Sequence, residues 1–464
     1  MTETQTNIRD IWHLAWPQLL MMFFHFLIGF VDVWVAGRIN SDVQASMGMI
    51  NQLLFFFLVV AIAVANGSVA AISQSLGAGL YKRIQRYVGL IVQIGVVTGL
   101  LIFGIGLAST ELMIKILQVP PQLTDITRYF FKVFMGVLPC YSLFVLTNAV
   151  FRAQHKVMFP LYTGILITTL NTIGDLGLGL GWFGLPEIGY KGLAWSTFIS
   201  VGAGAILNLA ILVRLGSLRW DSFPPLRWSK RALPYLFKVA WPGGLLHIVW
   251  HSAYMLLFSI TASLPHNSVV ALAGMTAGMR VEAFLFMPGF AFSMTGSILV
   301  GQYLGMGRPD LARKNAYLTL LIGITVMSTV AVLLWQVIGP VTHFLAPDPA
   351  VQAESINYLI YNMLCIPFTL TGMIISGAMT GAGATMYNLV AFGFSSWVVR
   401  LPLAWYLGHE VYKGPTGVWL AMLISMAFQA LFILYLFQFR DWTRFAMKTR
   451  RNGRTNMNGV PNAS

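Results

Sequence analysis

A succession of long apolar runs constrains this chain more than any other feature. Twelve mostly apolar stretches cover approximately residues 12–36, 48–74, 87–108, 130–151, 159–182, 191–213, 236–262, 269–300, 316–338, 356–378, 388–408 and 416–438. About 20 apolar residues, each rising about 1.5 Å, cross the hydrocarbon core of a bilayer. In lipid the backbone polar groups must bond within the segment, so such runs form helices. Composition agrees. Of 464 residues 57% are hydrophobic and 9% charged, against about 25% charged in an average soluble domain. That leaves too little polar surface for a soluble fold and too much apolar content for disorder. The expected class is an all-α membrane protein with twelve transmembrane helices.

The basic residues orient the spans. One face collects Arg9, Lys82, Arg83, Arg86, Arg152, Lys156, Arg214, Arg219, Arg227, Lys230, Arg231, Lys238, Arg308, Arg313, Lys314, Arg440, Arg444, Lys448, Arg450, Arg451 and Arg454, which is 21 of 29. The other face holds Arg38, Lys115, Arg128, Lys132, Lys191 and Lys413, while Arg280 and Arg400 lie inside spans. An excess of Lys and Arg marks the cytoplasmic side, so both termini are expected there. The net charge of +14 then orients the chain against anionic headgroups, and no nucleic-acid partner is expected. The stretch Met1 to Asp10 is polar with one Arg, unlike a cleaved signal. Cys140 and Cys365 sit in apolar runs and suit neither a disulfide framework nor a thiolate metal site.

The two halves resemble each other. Ala15-Trp16-Pro17 recurs as Ala240-Trp241-Pro242. Ser73-Gln-Ser-Leu-Gly-Ala-Gly79 recurs as Gly301-Gln-Tyr-Leu-Gly-Met-Gly307, and Pro139 as Pro367. The offsets are 225, 228 and 228. Each half has six spans, an even number, so both enter the membrane in the same sense. That predicts a pseudo-two-fold axis along the membrane normal, the parallel-repeat plan of many transporters. The expected organisation is an N-terminal lobe over 1–213, a cytoplasmic linker over 214–235, a C-terminal lobe over 236–440 and a polar cytoplasmic tail over 441–464.

Only three acids fall well inside spans: Asp32, Asp175 and Glu282. A charge at mid-bilayer costs about 2.5–3.5 kcal/mol even on insertion scales. Asp32 lies about 30 Å and Asp175 about 24 Å from the cytoplasmic start of their spans, so both reach the outer half of one bundle. Asn171 precedes Asp175 by one turn on the same helix face. Two neighbouring carboxylates repel in a poorly hydrated place, and a proton or sodium ion relieves the repulsion. Proton entry down the potential releases about 2.3 kcal/mol per 100 mV. Against this stands a structural role, with each acid a helix–helix hydrogen-bond partner or paired with Lys132. Glu282 lies about 20 Å into span eight, with Arg400 a candidate partner; Arg280, two residues away, points elsewhere on the helix.

Other patterns carry less. The 32 Phe, 16 Tyr, 14 Trp and 23 Met suit adaptable walls for apolar or cationic ligands, although membrane helices are rich in Phe and Met anyway. Gly179-Leu-Gly-Trp-Phe-Gly184 fits a dinucleotide fingerprint but ends a membrane span, with no strand before it. Asn66-Gly-Ser68 fits a glycosylation site but lies inside a span. His247 and His251, four apart, suit a cavity wall better than a metal pair. The chain has no Walker motif, no metal-ligand spacing and no nucleophile–base constellation, so neither a cofactor nor an enzyme activity is expected.

Several segments together resemble the multidrug and toxic compound extrusion (MATE) family over about residues 8–440. They are Gly29-Phe-Val-Asp-Val-Trp-Val-Ala-Gly37, Ser73-Gln-Ser-Leu-Gly-Ala-Gly79, Leu170-Asn-Thr-Ile-Gly-Asp175, Arg280-Val-Glu-Ala-Phe-Leu-Phe-Met-Pro-Gly289 and Leu299-Val-Gly-Gln-Tyr-Leu-Gly305. The resemblance implies two lobes around an outward-opening cleft and cation-coupled export of organic cations. It makes Asp32, Asn171 and Asp175 the coupling-ion or proton site, with Tyr141 and Thr197 as polar partners. It makes Glu282, with Arg280 and His251, a candidate C-lobe site. Some relatives carry acids in helices seven and ten, where this chain has Trp250 (or His251) and Thr369. The expectation is therefore an antiporter of a bacterial inner membrane, coupled through its N-terminal lobe to protons in preference to sodium. Small cationic substrates, membrane lipids and a monomeric state go with it. A flippase for lipid-linked precursors, a membrane-embedded enzyme and a channel are the competing classes. The acids of the N-terminal lobe argue against the anionic cargo of the first.

Overall fold

The computed structural model describes residues 8–116, 119–346 and 348–447. Most of the expected polar tail, with Lys448, Arg450, Arg451 and Arg454, lies outside the described residues. Among the described residues there is no strand. The membrane helices are α1 (Ile8–Ile39), α2 (Ser41–Gly77), α3 (Tyr81–Ala108), α4 (Thr124–Ala153), α5 (Met158–Gly174), α6 (Tyr190–Arg214), α7 (Leu226–Ala262), α8 (Ser268–Gly305), α9 (Pro309–Gln336), α10 (Pro349–Ala382), α11 (Thr385–Val411) and α12 (Pro415–Phe439). Eleven of them are individually long and apolar enough to cross a membrane. The other, α5, has 17 α-helical residues and is extended by a π turn, Asp175–Gly179. The chain is a multi-pass membrane protein.

Local chemistry explains where helices stop. Asn40 alone joins α1 to α2, and its side chain accepts a hydrogen bond from the Asp42 N–H at 3.1 Å. This satisfies one of the unpaired donors at a helix start. The repeated glycine segments end their helices in the same way. Gly79 and Gly307 both take left-handed backbone, with φ of 71° and 74°. Gly79 N–H donates to Leu76 C=O and Leu80 N–H to Ser75 C=O; Gly307 N–H donates to Leu304 C=O and Arg308 N–H to Tyr303 C=O. A side chain would be strained at that φ, which is why the terminal glycine recurs. Pro139 and Pro367 likewise lie inside α4 and α10.

The described residues form two compact units. Trp16–Ala240 makes one, and the residues before Trp16 and after Ala240 make the other. The boundaries fall inside α1 and α7, within the repeated Ala-Trp-Pro. Ala15 accordingly belongs to an apolar core with Phe292, Ile374, Ala382 and Phe437. The segment expected as a linker is structured and packs on the first unit. Trp220–Ser222 forms a 3-10 turn, and α7 starts at Leu226. The Trp228 and Tyr87 rings meet at 5.0 Å, and Gln74 Nε2 donates to the Tyr235 hydroxyl at 3.0 Å. Gly67 and Gly89 have the Leu236 and Ser222 carbonyls where a Cβ would be.

Within the second unit α8 and α10 pack along small residues. A Cβ at Gly274 would press on Glu354, and one at Gly278 on the Tyr358 ring; Gly377 and Gly381 face the Ser293 and Ser297 carbonyls. Small residues one turn apart let two membrane helices approach closely. That approach places Tyr358 beside the turn of α8 that follows Gly278.

Candidate functional site

The first unit holds the acid cluster. Asp32 projects from α1, while Asn171 and Asp175 sit one turn apart at the end of α5. Asp32 is 9% exposed, and Asn171 and Asp175 are 0% exposed. The Asp32 carboxyl lies against the Asp175 carboxyl and the Asn171 amide, and Asp175 also lies against Ser196 of α6. Asn171 Nδ2 donates to Thr197 Oγ1 at 3.4 Å. The three expected residues are thus together, with Thr197 beside them. Lys132 is exposed on α4 and pairs with neither acid.

The π turn positions this cluster. Gly192 of α6 has the Leu178 carbonyl and the Gly179 N–H where a Cβ would be, so the two backbones touch. A π turn adds a residue to the helix repeat and often marks a functional site. Here it begins at Asp175 itself.

Four buried oxygens of the cluster have no hydrogen-bond partner in the protein: Asp32 Oδ1, Asn171 Oδ1 and both carboxylate oxygens of Asp175. Unpaired buried acceptors are uncommon in folded proteins. The two carboxyls side by side form an acceptor-rich place suited to a proton or a small hard cation, with oxygens as ligands. Two carboxylates buried together without such a partner are costly.

Tyr141 occupies a different place from the one the resemblance implied. No hydrogen bond joins it to the acids; its hydroxyl is 3.1 Å from Nε2 of His25. His25 lies seven residues before Asp32, nearly two turns and close to the same face of α1. That spacing was available in the sequence and would have drawn attention to His25. Thr168 Oγ1, on the Asn171 face of α5, donates to the Phe24 carbonyl at 3.2 Å.

The second unit holds a separate polar cluster. Glu282 on α8 is 5% exposed and accepts a hydrogen bond from the Tyr358 hydroxyl of α10. Arg400 on α11 is 1% exposed. Its Nε donates to Ser425 Oγ at 2.9 Å, a second nitrogen contacts Met426 Sδ at 3.3 Å, and the guanidinium lies over the Tyr254 ring at 5.7 Å. Glu282 and Arg400 are within electrostatic reach but form no direct ion pair. Arg280 is exposed, away from Glu282. His251 is half-buried on α7, edge-on to Trp250 at 5.0 Å, and Trp250 meets Tyr254 at 4.7 Å. Of the expected C-lobe group Glu282 belongs to this cluster, and His251 adjoins it through Trp250. Tyr358, Tyr254 and Ser425 are the members the sequence did not single out, because hydroxyls within apolar spans are common.

Comparison with known proteins identifies the family. The MatE family profile matches residues 17–176 and 245–406, once in each half. The chain is 25% identical over 453 residues to the probable multidrug resistance protein NorM of Thermotoga maritima, covering 95% of this chain and 94% of that one. It is 22% identical over 445 residues to the multidrug resistance protein PmpM of Pseudomonas aeruginosa, covering 92% and 91%. Among solved structures, a MATE protein in complex with MaL6 superposes with a TM-score of 0.86 at 16% identity, covering 94% and 96%. A MOP superfamily transporter from Pyrococcus furiosus superposes with a TM-score of 0.84 at 15% identity. A chain with twelve membrane helices in two six-helix lobes, matched by one family profile over both halves, belongs to the MatE family of membrane transporters.

Proposed function

We propose that the protein is a secondary active antiporter that exports amphipathic organic cations in exchange for protons, with sodium the second candidate ion, by alternating access. The observation that carries this reading is the burial of Asp32 against Asp175 and Asn171, side chains on which four buried oxygens have no hydrogen-bond partner. Two like charges buried together favour uptake of a positive ion. Occupation by that ion and vacancy then stabilise different packings of α1 against α5 and α6, and a ligand shifts a conformational equilibrium only through such a difference. Thr197 orients the Asn171 amide in this scheme, and Tyr141 with His25 belongs to the surrounding wall.

The cargo follows from the relatives and from the charge. The matched proteins from Thermotoga maritima and Pseudomonas aeruginosa are named for multidrug resistance. A buried acid pair in the first unit favours cationic over anionic cargo, which weighs against a pyrophosphate-linked lipid. The basic face supports a place for both termini in the cytoplasm of a bacterial inner membrane, and the proposal takes the protein as a monomer among lipids.

Efflux from proteoliposomes under separately imposed proton and sodium gradients tests the scheme. Asp32→Asn and Asp175→Asn are each expected to lower ion-driven efflux by at least about tenfold, the scale of 1.4 kcal/mol. Undiminished efflux in both variants overturns the coupling site. A response to the sodium gradient alone assigns the cluster to sodium.

A further inference from the structure

The two units meet their α5–α6 and α11–α12 backbones in the same way. Gly192 has the Leu178 carbonyl and Gly179 N–H where a Cβ would be, and Gly417 has the Leu407 carbonyl and Gly408 N–H there. A π turn accompanies both contacts, Asp175–Gly179 and Tyr406–Val411. This register places Arg400 opposite Asn171 and Ala404 opposite Asp175. The Ala-Trp-Pro repeat places Leu257 opposite Asp32. Leu257 and Ala404 are both fully buried, in one apolar cluster with Tyr254 and Tyr358.

The two repeats therefore carry their polar side chains at different positions. Where the first unit has two acids and an amide, the second has two apolar residues and an arginine. Its one buried acid of this cluster, Glu282, stands on another helix, and the repeat puts Leu54 and Phe130 opposite Glu282 and Tyr358. The guanidinium is held by Ser425, Met426 and the Tyr254 ring, none of them a carboxylate. Glu282 supplies the opposite charge within electrostatic reach.

We propose that Arg400 is a tethered cation: it takes in the C-terminal lobe the place that an exchangeable ion takes in the N-terminal lobe. The C-terminal lobe then carries its own permanent positive charge, balanced by Glu282, and exchanges no ion during transport. The likeness to an exchangeable ion and the lack of ion exchange both rest on the coupling scheme above, whereas the permanent buried charge of Arg400 balanced by Glu282 does not. Arginine suits the part because it stays charged and its planar fork fixes several donors at once.

The tethered-cation claim is tested on purified full-length protein by thermal unfolding, with no gradient and no substrate. Arg400→Ala is expected to lower the unfolding midpoint by at least about 5 °C, because an uncompensated buried charge is left behind. Low concentrations of guanidinium ion should recover at least half of that loss in the variant and none in the parent. The double variant Glu282→Gln with Arg400→Met, which removes both charges, should melt closer to the parent than Arg400→Ala does. Parent-like melting of Arg400→Ala overturns the proposal, as does the absence of guanidinium rescue. If Arg400→Ala does not fold, the double variant decides: a folded double supports the proposal and an unfolded one overturns it. The claim of no ion exchange is tested by efflux, where Glu282→Gln should leave the half-saturating ion concentration unchanged; a shifted value overturns that claim alone. Loss of the coupling scheme itself would show instead as full efflux in Asp32→Asn and Asp175→Asn.

Discussion

Tyr358 decides how Glu282 can remain buried. Its hydroxyl is the donor the carboxyl receives, and its ring occupies the space that the missing side chain of Gly278 leaves. Tyr358→Phe removes the donor and keeps the ring, so it should cost about 1–3 kcal/mol, the range for an unsatisfied buried acceptor. Gly278→Val drives a side chain into the ring and should cost a further overpacking penalty of about 1–3 kcal/mol. Thermal unfolding in detergent separates the two, since Glu282→Gln should relieve much of the first loss and little of the second. The Asn171 amide is a comparable case in the first unit. Asn171→Ala removes its hydrogen bond to Thr197 while both acids stay, so efflux should fall less than in Asp32→Asn.

At the scale of elements, the π turns do what regular helices could not. The extra residue per turn lets α5 continue past Asp175 while its backbone touches Gly192. Gly192→Ala should push the turn away and disturb Asp175, lowering efflux together with stability. Gly417→Ala, at the equivalent contact, should lower stability and leave the ion dependence of efflux unchanged. Paired melting and flux measurements on the two variants check this.

These elements also show what was legible in the sequence. The twelve spans were readable because apolar length is a direct physical requirement of the bilayer. The pairing of Asp32 with Asp175 was readable because charge is so costly there that depth alone brings the acids together. The π turns beside Gly192 and Gly417 were not, because a single widened turn leaves no trace in the apolar period. Tyr141 was misplaced for a related reason: segment similarity gives a helix and a depth, whereas the direction of a ring depends on neighbours such as His25.

For the whole molecule, the distribution of charge predicts a sidedness that can be measured directly. With both native cysteines replaced, single cysteines at Lys82 and Arg308 should react with a membrane-impermeant maleimide only from the cytoplasmic side. Cysteines at Lys191 and Lys413 should react only from outside. Labelling of Lys82 from outside would reverse the orientation and with it the direction of transport.

The division of the chain inside α1 and α7 has a consequence for how the protein is made. The first unit needs residues up to Ala240, so a ribosome that has just finished α6 has not yet released all of it. The second unit needs residues just ahead of Trp16, which are synthesised before anything else and must wait for their core partners until the last helices arrive. Neither half can therefore complete its core on its own schedule. A gene split at the connection between α6 and α7 would yield two fragments each missing a piece carried by the other, and the fragments should accumulate only when expressed together.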